Sequence, residues 1–184
     1  MITLTGFMGS GKTTVGKVLA DFLGCPFMDL DDLVVKKAGK SIPDIFAQDG
    51  EPAFRELEAQ VLRKTVAKYA ESAAVLALGG GAVLAPASAS LLHEKTVCIY
   101  LRATLETLLA RLAGETAGRP LLQEIPDQVG DDGGSVVMPG PDRASVSARL
   151  ASREPIYEKT AHVIIDTDGL SPDEVADEII ISAL

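Results

Sequence analysis

The sequence predicts an α/β fold: a parallel sheet covered by helices on both faces. Three observations carry this. Apolar runs of strand length alternate with stretches of helical periodicity along most of the 184-residue chain. Several of these runs read as fully buried strands, as in a sheet covered on both sides. Directly behind the first run stands Gly6-Phe7-Met8-Gly9-Ser10-Gly11-Lys12-Thr13, which fits G-x-x-x-x-G-K-[ST] in full.

In chain order, "MITLT" is a short strand. Val15, Val18, Leu19 and Phe22 then fall at helical spacing, and Gly24 stops that helix. "PFMD" is a second strand ending in a carboxylate. Ser41 with Asp44 three residues on marks a helix start. A long helix beginning near Glu51 carries Phe54, Leu57, Val61 and Leu62 on one face. "AAVLAL" is a buried strand followed by three glycines, and "TVCIYL" is another. Thr104–Ala113 reads as helix. "REPIY" ends a helix, with Pro155 stopping its extension. "HVIID" is the last strand. Ser171, Pro172 and Glu174 open a final helix as cap, first helical position and third. Gly114 to about Asp142 breaks the pattern. It is crowded with Gly, Pro and Asp and reads as a mobile inserted loop.

Bulk properties narrow the classes. The length suits one domain, and the net charge of −9 opposes a nucleic-acid partner while leaving small anionic ligands open. The two cysteines, Cys25 and Cys98, read as small buried apolar residues in a reducing compartment. No apolar run reaches membrane-helix length, and the first residues lack the marks of a signal peptide, so the expectation is a cytoplasmic protein. A monomer is expected as well.

The glycines of residues 6–11 let successive N–H groups turn toward a phosphate, and the following helix points its positive end at the same spot. Lys12 follows the β- and γ-phosphates, and the Thr13 hydroxyl is a ligand for Mg²⁺. A switch GTPase reads guanine with N-K-x-D, and this chain contains no Asn. A small kinase, with an acceptor held beside the γ-phosphate, remains.

Candidates for the acceptor side are read with alternatives open. The second strand is read as ending Asp29-Leu30-Asp31, so that alternation puts Asp29 and Asp31 on one face, for Mg²⁺ and for an acceptor hydroxyl; the alternative is that they cap the next helix along with Asp32. Arg55 stands at the edge of the long helix's core face, as an anion ligand or a solvated residue. Gly79, Gly80 and Gly81 admit a ligand to the main chain or form a plain tight turn. Arg119, in the insertion, is a lid arginine or an exposed one. Arg153 points to the cleft or favours its helix end.

Together "GFMGSGKTTVG", "DLDDLV", "GKSIPDIFAQDGEPAFRELE", "LALGGGAV", "RPLL" and "REPIY" resemble the shikimate kinases. That resemblance implies a three-layer P-loop fold with a five-stranded parallel sheet in the order 2-3-1-4-5. It implies a substrate-binding segment at about 31–62 and a lid at about 113–142. It assigns Gly9, Ser10, Gly11, Lys12, Thr13 and Thr14 to the phosphates of ATP, and Thr13 and Asp29 to Mg²⁺. Asp31 becomes the base on a shikimate hydroxyl. Arg55 and Arg153 hold the shikimate carboxylate, with Gly79, Gly80 and Gly81 along the ring. Arg119 reaches ATP from the lid, and Arg111 stacks on adenine near Pro172. The reaction implied is transfer of the ATP γ-phosphoryl group to the 3-hydroxyl of shikimate. The insertion between Leu122 and Arg149 is longer than that family leads one to expect. The competing readings are a kinase of another hydroxy acid such as gluconate, a non-catalytic nucleotide-binding module, and a hydrolase.

Overall fold

The computed structural model describes residues 1–116 and 143–183. In chain order the elements are β1 (Ile2–Thr5), α1 (Lys12–Phe22), β2 (Phe27–Asp29), α2 (Leu30–Ala38) and α3 (Ile42–Lys68). Then come β3 (Val75–Ala77), a 3₁₀ turn (Ala82–Leu84), α4 (Pro86–Lys95), β4 (Val97–Arg102) and α5 (Leu105–Thr116). The chain closes with α6 (Arg143–Thr160), β5 (Val163–Asp166) and α7 (Pro172–Ala183). The five strands form one sheet in the order β2-β3-β1-β4-β5, and every pairing is parallel.

Alternate residues of each strand feed opposite faces, as the two-residue period demands. Leu76, Cys98 and Tyr100 join Phe7, Leu30, Val34, Phe54, Leu62 and Tyr157 in one core cluster. Their neighbours Val75, Ile99 and Leu101 join Ile2, Leu4, Val15, Leu19 and Ile179 in the other. The result is a sheet between two helical layers, each sealed by Leu, Val and Ile side chains with little or no exposure.

Three local findings differ from the sequence reading or sharpen it. Gly50 has φ 80° and ψ 168°, so α3 is two helical pieces meeting at a kink, the second starting at Glu51. α6 does not stop at Pro155 but runs on to Thr160. The proline forfeits one backbone hydrogen bond. Beyond it the fully buried Tyr157 donates to the Gly80 carbonyl at 2.6 Å, and packing holds the last turn. The helix α4 gave no clear sequence signal: it has no side-chain cap, and only its proline start is typical. At α7, Ser171 and Glu174 do form the reciprocal capping pair.

Cys98 is fully buried, while Cys25 is only half-buried. No described helix is long and apolar enough to cross a membrane.

Candidate active site

The C-terminal ends of β1, β2 and β3 bring the phosphate loop, the paired acids and the three glycines to one edge of the sheet, where parallel α/β sheets place ligands. The loop has the backbone its glycines permit. Gly9 (φ 78°) and Gly11 (φ 91°) occupy the left-handed region. Helix α1 starts at Lys12 with no side-chain cap and no acid in its first turn. Its N-terminal N–H groups and dipole are left for an anion. The Lys12 ammonium lies over the loop and donates to the carbonyls of Gly6 (2.9 Å) and Phe7 (2.8 Å).

A cavity of about 280 Å³ opens on one side of this loop. It is lined by Gly9, Ser10, Gly11 and Thr14, with Arg111 and Pro172 opposite. Arg111 is braced. Its guanidinium donates to the Thr167 carbonyl at 2.7 Å and to the Thr167 hydroxyl at 3.0 Å. Thr167 follows β5 and is itself buried, so the last strand fixes the arginine's plane.

The acids meet by a different geometry from the one alternation suggests. β2 ends at Asp29, and Asp29 caps α2, accepting from the Asp31 N–H at 3.0 Å. Asp31 therefore sits in the first turn of α2. Capping and site chemistry are not exclusive here. One Asp29 oxygen holds the helix start, and the other accepts from the Thr13 hydroxyl at 2.9 Å. Thr13 and Asp29 thus present a hydroxyl and a carboxylate at the phosphate loop, hard oxygen donors of the kind Mg²⁺ takes alongside phosphate and water. Among the described residues no cluster of three or more His, Cys, Asp or Glu forms a dedicated metal cage.

A second cavity, of about 240 Å³, lies beside Asp31. Arg55, Arg149 and Arg153 line it, with Gly79, Gly80 and Gly81 as another wall. Glu51 and Glu58 line it too, and Met8, Ile42, Phe46 and Phe54 complete it with apolar surface. In a chain of net charge −9, three guanidinium groups converge on this one cavity. Phe54 stacks against Phe46 at 4.7 Å and carries the Arg55 guanidinium 5.1 Å from its ring centre.

Gly79 and Gly81 are present for space, and none of the three glycines is needed for turn geometry. None has a positive φ. A Cβ at Gly79 would stand 2.8 Å from an Asp31 carboxylate oxygen and 3.0 Å from one of Glu58. One at Gly81 would stand 2.6 Å from Arg55 Nη1. Gly80 has ordinary van der Waals room, and its carbonyl takes the Tyr157 hydroxyl.

Sequence reasoning missed Glu58, Arg149 and Tyr157. Glu58 is only 4% exposed and accepts from Arg55 Nη1 at 3.0 Å, while Glu51 accepts from Nε and Nη2 at 3.2 Å each. The pair of acids orients a fork of charge toward the cavity. Its spacing from Arg55, four residues before and three after, is a helical signal that could have been read. Burial raises the Glu58 carboxyl above its ordinary range, against the pull of Arg55. Arg149 precedes Arg153 by one helical turn on α6.

Asp31 is the most perturbed acid at the site. Burial, then the charges of Asp29 and Glu58, push its carboxyl up to about 6 against the opposing pull of Lys12. An acid tuned toward neutrality beside a phosphate cradle has the character of a general base. Arg119 and the greater part of the expected lid at about 113–142 lie outside the described residues.

Comparison with known proteins agrees with the geometry. The family model described as shikimate kinase matches residues 8–183. A shikimate kinase of Salinibacter ruber is 44% identical over 91% of this chain and 76% of its own length. One from Enterococcus faecalis is 40% identical over 97% of this chain and 95% of its own. Among solved structures, the shikimate kinase of Acinetobacter baumannii in complex with shikimate superposes with a TM-score of 0.79. It is 34% identical and covers 97% of this chain and 89% of that one.

Proposed function

The chain belongs to the shikimate kinase family, and on that footing we propose that it transfers the γ-phosphoryl group of ATP to the 3-hydroxyl of shikimate. One observation carries the assignment of residues. Asp31, Arg55, Arg153 and the three glycines share a single cavity at the same sheet edge as the phosphate loop.

Each residue then has a task that follows from its position. The N–H groups of residues 9–14 and the start of α1 cradle the phosphates, and Lys12 adds a charge that follows the migrating phosphoryl group. Arg111 offers its braced planar face to the base, with Pro172 opposite. Arg55 and Arg153 hold the acceptor's carboxylate. Phe46 and Phe54 cover the apolar part of its ring. Asp31 accepts the hydroxyl proton as the oxygen bonds to the γ-phosphorus and the bond to the bridging oxygen of ADP breaks. Thr13 and Asp29 are the residues that would hold Mg²⁺. Bound with ATP, it supplies neutralisation of the charge on the phosphate oxygens.

A hydrolase reading leaves the buried Glu58–Arg55 pair and Arg153 without a task. A non-catalytic module leaves unexplained a base tuned to about 6. The test is ADP release from Mg·ATP measured with and without shikimate. Release that requires shikimate is expected. Equal release in its absence would overturn the proposal.

A further inference from the structure

Residues of α2 and α3 line a third hollow, of about 360 Å³, which shares no lining residue with the acceptor cavity. Its floor is apolar, made by Leu33, Leu57 and Val61, and its rim carries Lys36, Lys37 and Lys64. The spacing explains the arrangement. Residues 33, 36 and 37 form one stripe of α2, and residues 57, 61 and 64 form one stripe of α3. Arg55 and Glu58, on the adjoining part of the same helix, line the acceptor cavity instead.

The charges are unusual for this surface. No acid lines the groove, although acids outnumber bases 26 to 17 in the chain. Among the described residues none of the three lysines forms an ion pair. Lys36 and Lys37 fall in the last turn of α2, where the helix dipole alone would favour them. Lys64 lies inside α3, ahead of its last turn, and has no such reason to be there. The three lysines, with Gln60 and Thr65, border a largely apolar hollow whose size falls in the range of small-ligand sites.

The geometry points to this groove as a binding site for a small carboxylate with an apolar or aromatic body. The body covers Leu33, Leu57 and Val61, and the carboxylate meets the lysine rim. Both helices that frame the groove also build the acceptor side: α2 carries Asp31 in its first turn, and α3 carries Arg55. A ligand seated here would touch both helices that carry acceptor-side residues.

The test titrates 2-naphthoate into the full, ¹⁵N-labelled chain, with excess shikimate present to occupy the acceptor cavity. Saturable shifts of the amide signals of Leu33, Leu57 and Val61 are expected, with a Kd of about 1 mM or tighter. Uncharged 2-naphthamide should bind about tenfold more weakly or worse, and so should naphthoate to the double variant Lys36→Gln/Lys64→Gln. That variant should keep its ADP-forming rate, because neither lysine touches the acceptor or nucleotide cavity. No saturable shift at those three residues would overturn the site. So would equal binding of naphthamide, unchanged binding by the double variant, or the same shifts produced by inorganic phosphate. The readout is binding without turnover, so it stands or falls separately from the phosphoryl-transfer reading.

Discussion

Gly81 lies directly against the Arg55 guanidinium: a Cβ on Gly81 would stand 2.6 Å from Nη1 and 2.8 Å from Nη2. The absence of a side chain at one residue is thus a condition for the position of the other. Gly81→Ala should leave the fold almost unchanged, since its φ of −104° suits any residue and the clash is with the end of a flexible side chain. It should displace Arg55 and weaken the charge-assisted bond to the acceptor carboxylate, raising the shikimate KM about 10- to 100-fold. The ATP KM should not move. Steady-state kinetics with each substrate varied in turn checks this, and a parallel rise in both KM values would contradict it.

Asp31→Asn should separate function from stability. Loss of the base should lower kcat about 10²- to 10⁴-fold. The same change should stabilise the ligand-free protein at pH 7. The folded-state value of about 6 exceeds the ordinary 3.8, so between those values the folded chain holds a proton that the unfolded chain releases. Stability therefore falls as pH rises through that window, and the whole penalty is present above it. The variant should gain about 2–3 kcal/mol at pH 7 and nothing below pH ~3. Thermal melts of both proteins at the two pH values measure this. A variant less stable at pH 7 would contradict the burial account.

The same shift sets a limb in the rate profile. log(kcat/KM) for shikimate should fall with unit slope as pH drops below about 6, where Asp31 becomes protonated. A profile flat from pH 7 down to pH 5 would remove Asp31 as the base.

Much of this was legible in the sequence, for identifiable reasons. The phosphate loop is local, and its conformation is written in Gly9 and Gly11. The strands were legible because burial on both faces leaves continuous apolar runs such as Val75–Leu78. The acids at 29 and 31 were found as a pair with strand alternation and helix capping both left open, and capping is what holds at Asp29. A strand's last residue and a helix cap are the same kind of position, and alternation does not reveal which one holds. Pro155 misled because a proline rule is local, whereas the Tyr157 contact that carries α6 onward is 77 residues away in sequence. Glu58 was missed because a Glu on a helix is ordinarily solvent-exposed, and only tertiary packing makes this one buried.

Asp29→Asn tests the metal assignment without harming the helix. Asn caps as well as Asp, so the Asp31 N–H keeps its acceptor and α2 its start. The charge facing Thr13 is lost. The Mg²⁺ concentration giving half-maximal rate should rise about tenfold or more, with circular dichroism unchanged. An unaltered Mg²⁺ requirement would assign the metal elsewhere.

Arg111→Ala should act on the nucleotide alone. It removes the guanidinium plane that Thr167 holds and leaves the acceptor cavity intact. An ATP KM raised about tenfold with an unchanged shikimate KM is expected. A change confined to shikimate would contradict the division of the cleft into two cavities.

The most direct measurement is an acceptor panel: kcat/KM with Mg·ATP for shikimate, gluconate and other hydroxy acids, with the product identified by ³¹P NMR. Shikimate should exceed every other acceptor by about 10³-fold or more, because two guanidinium groups and an apolar wall are matched to one carboxylated ring, and the product should be a phosphate monoester at its 3-hydroxyl. Comparable values for gluconate, or inorganic phosphate as the main product, would contradict the account.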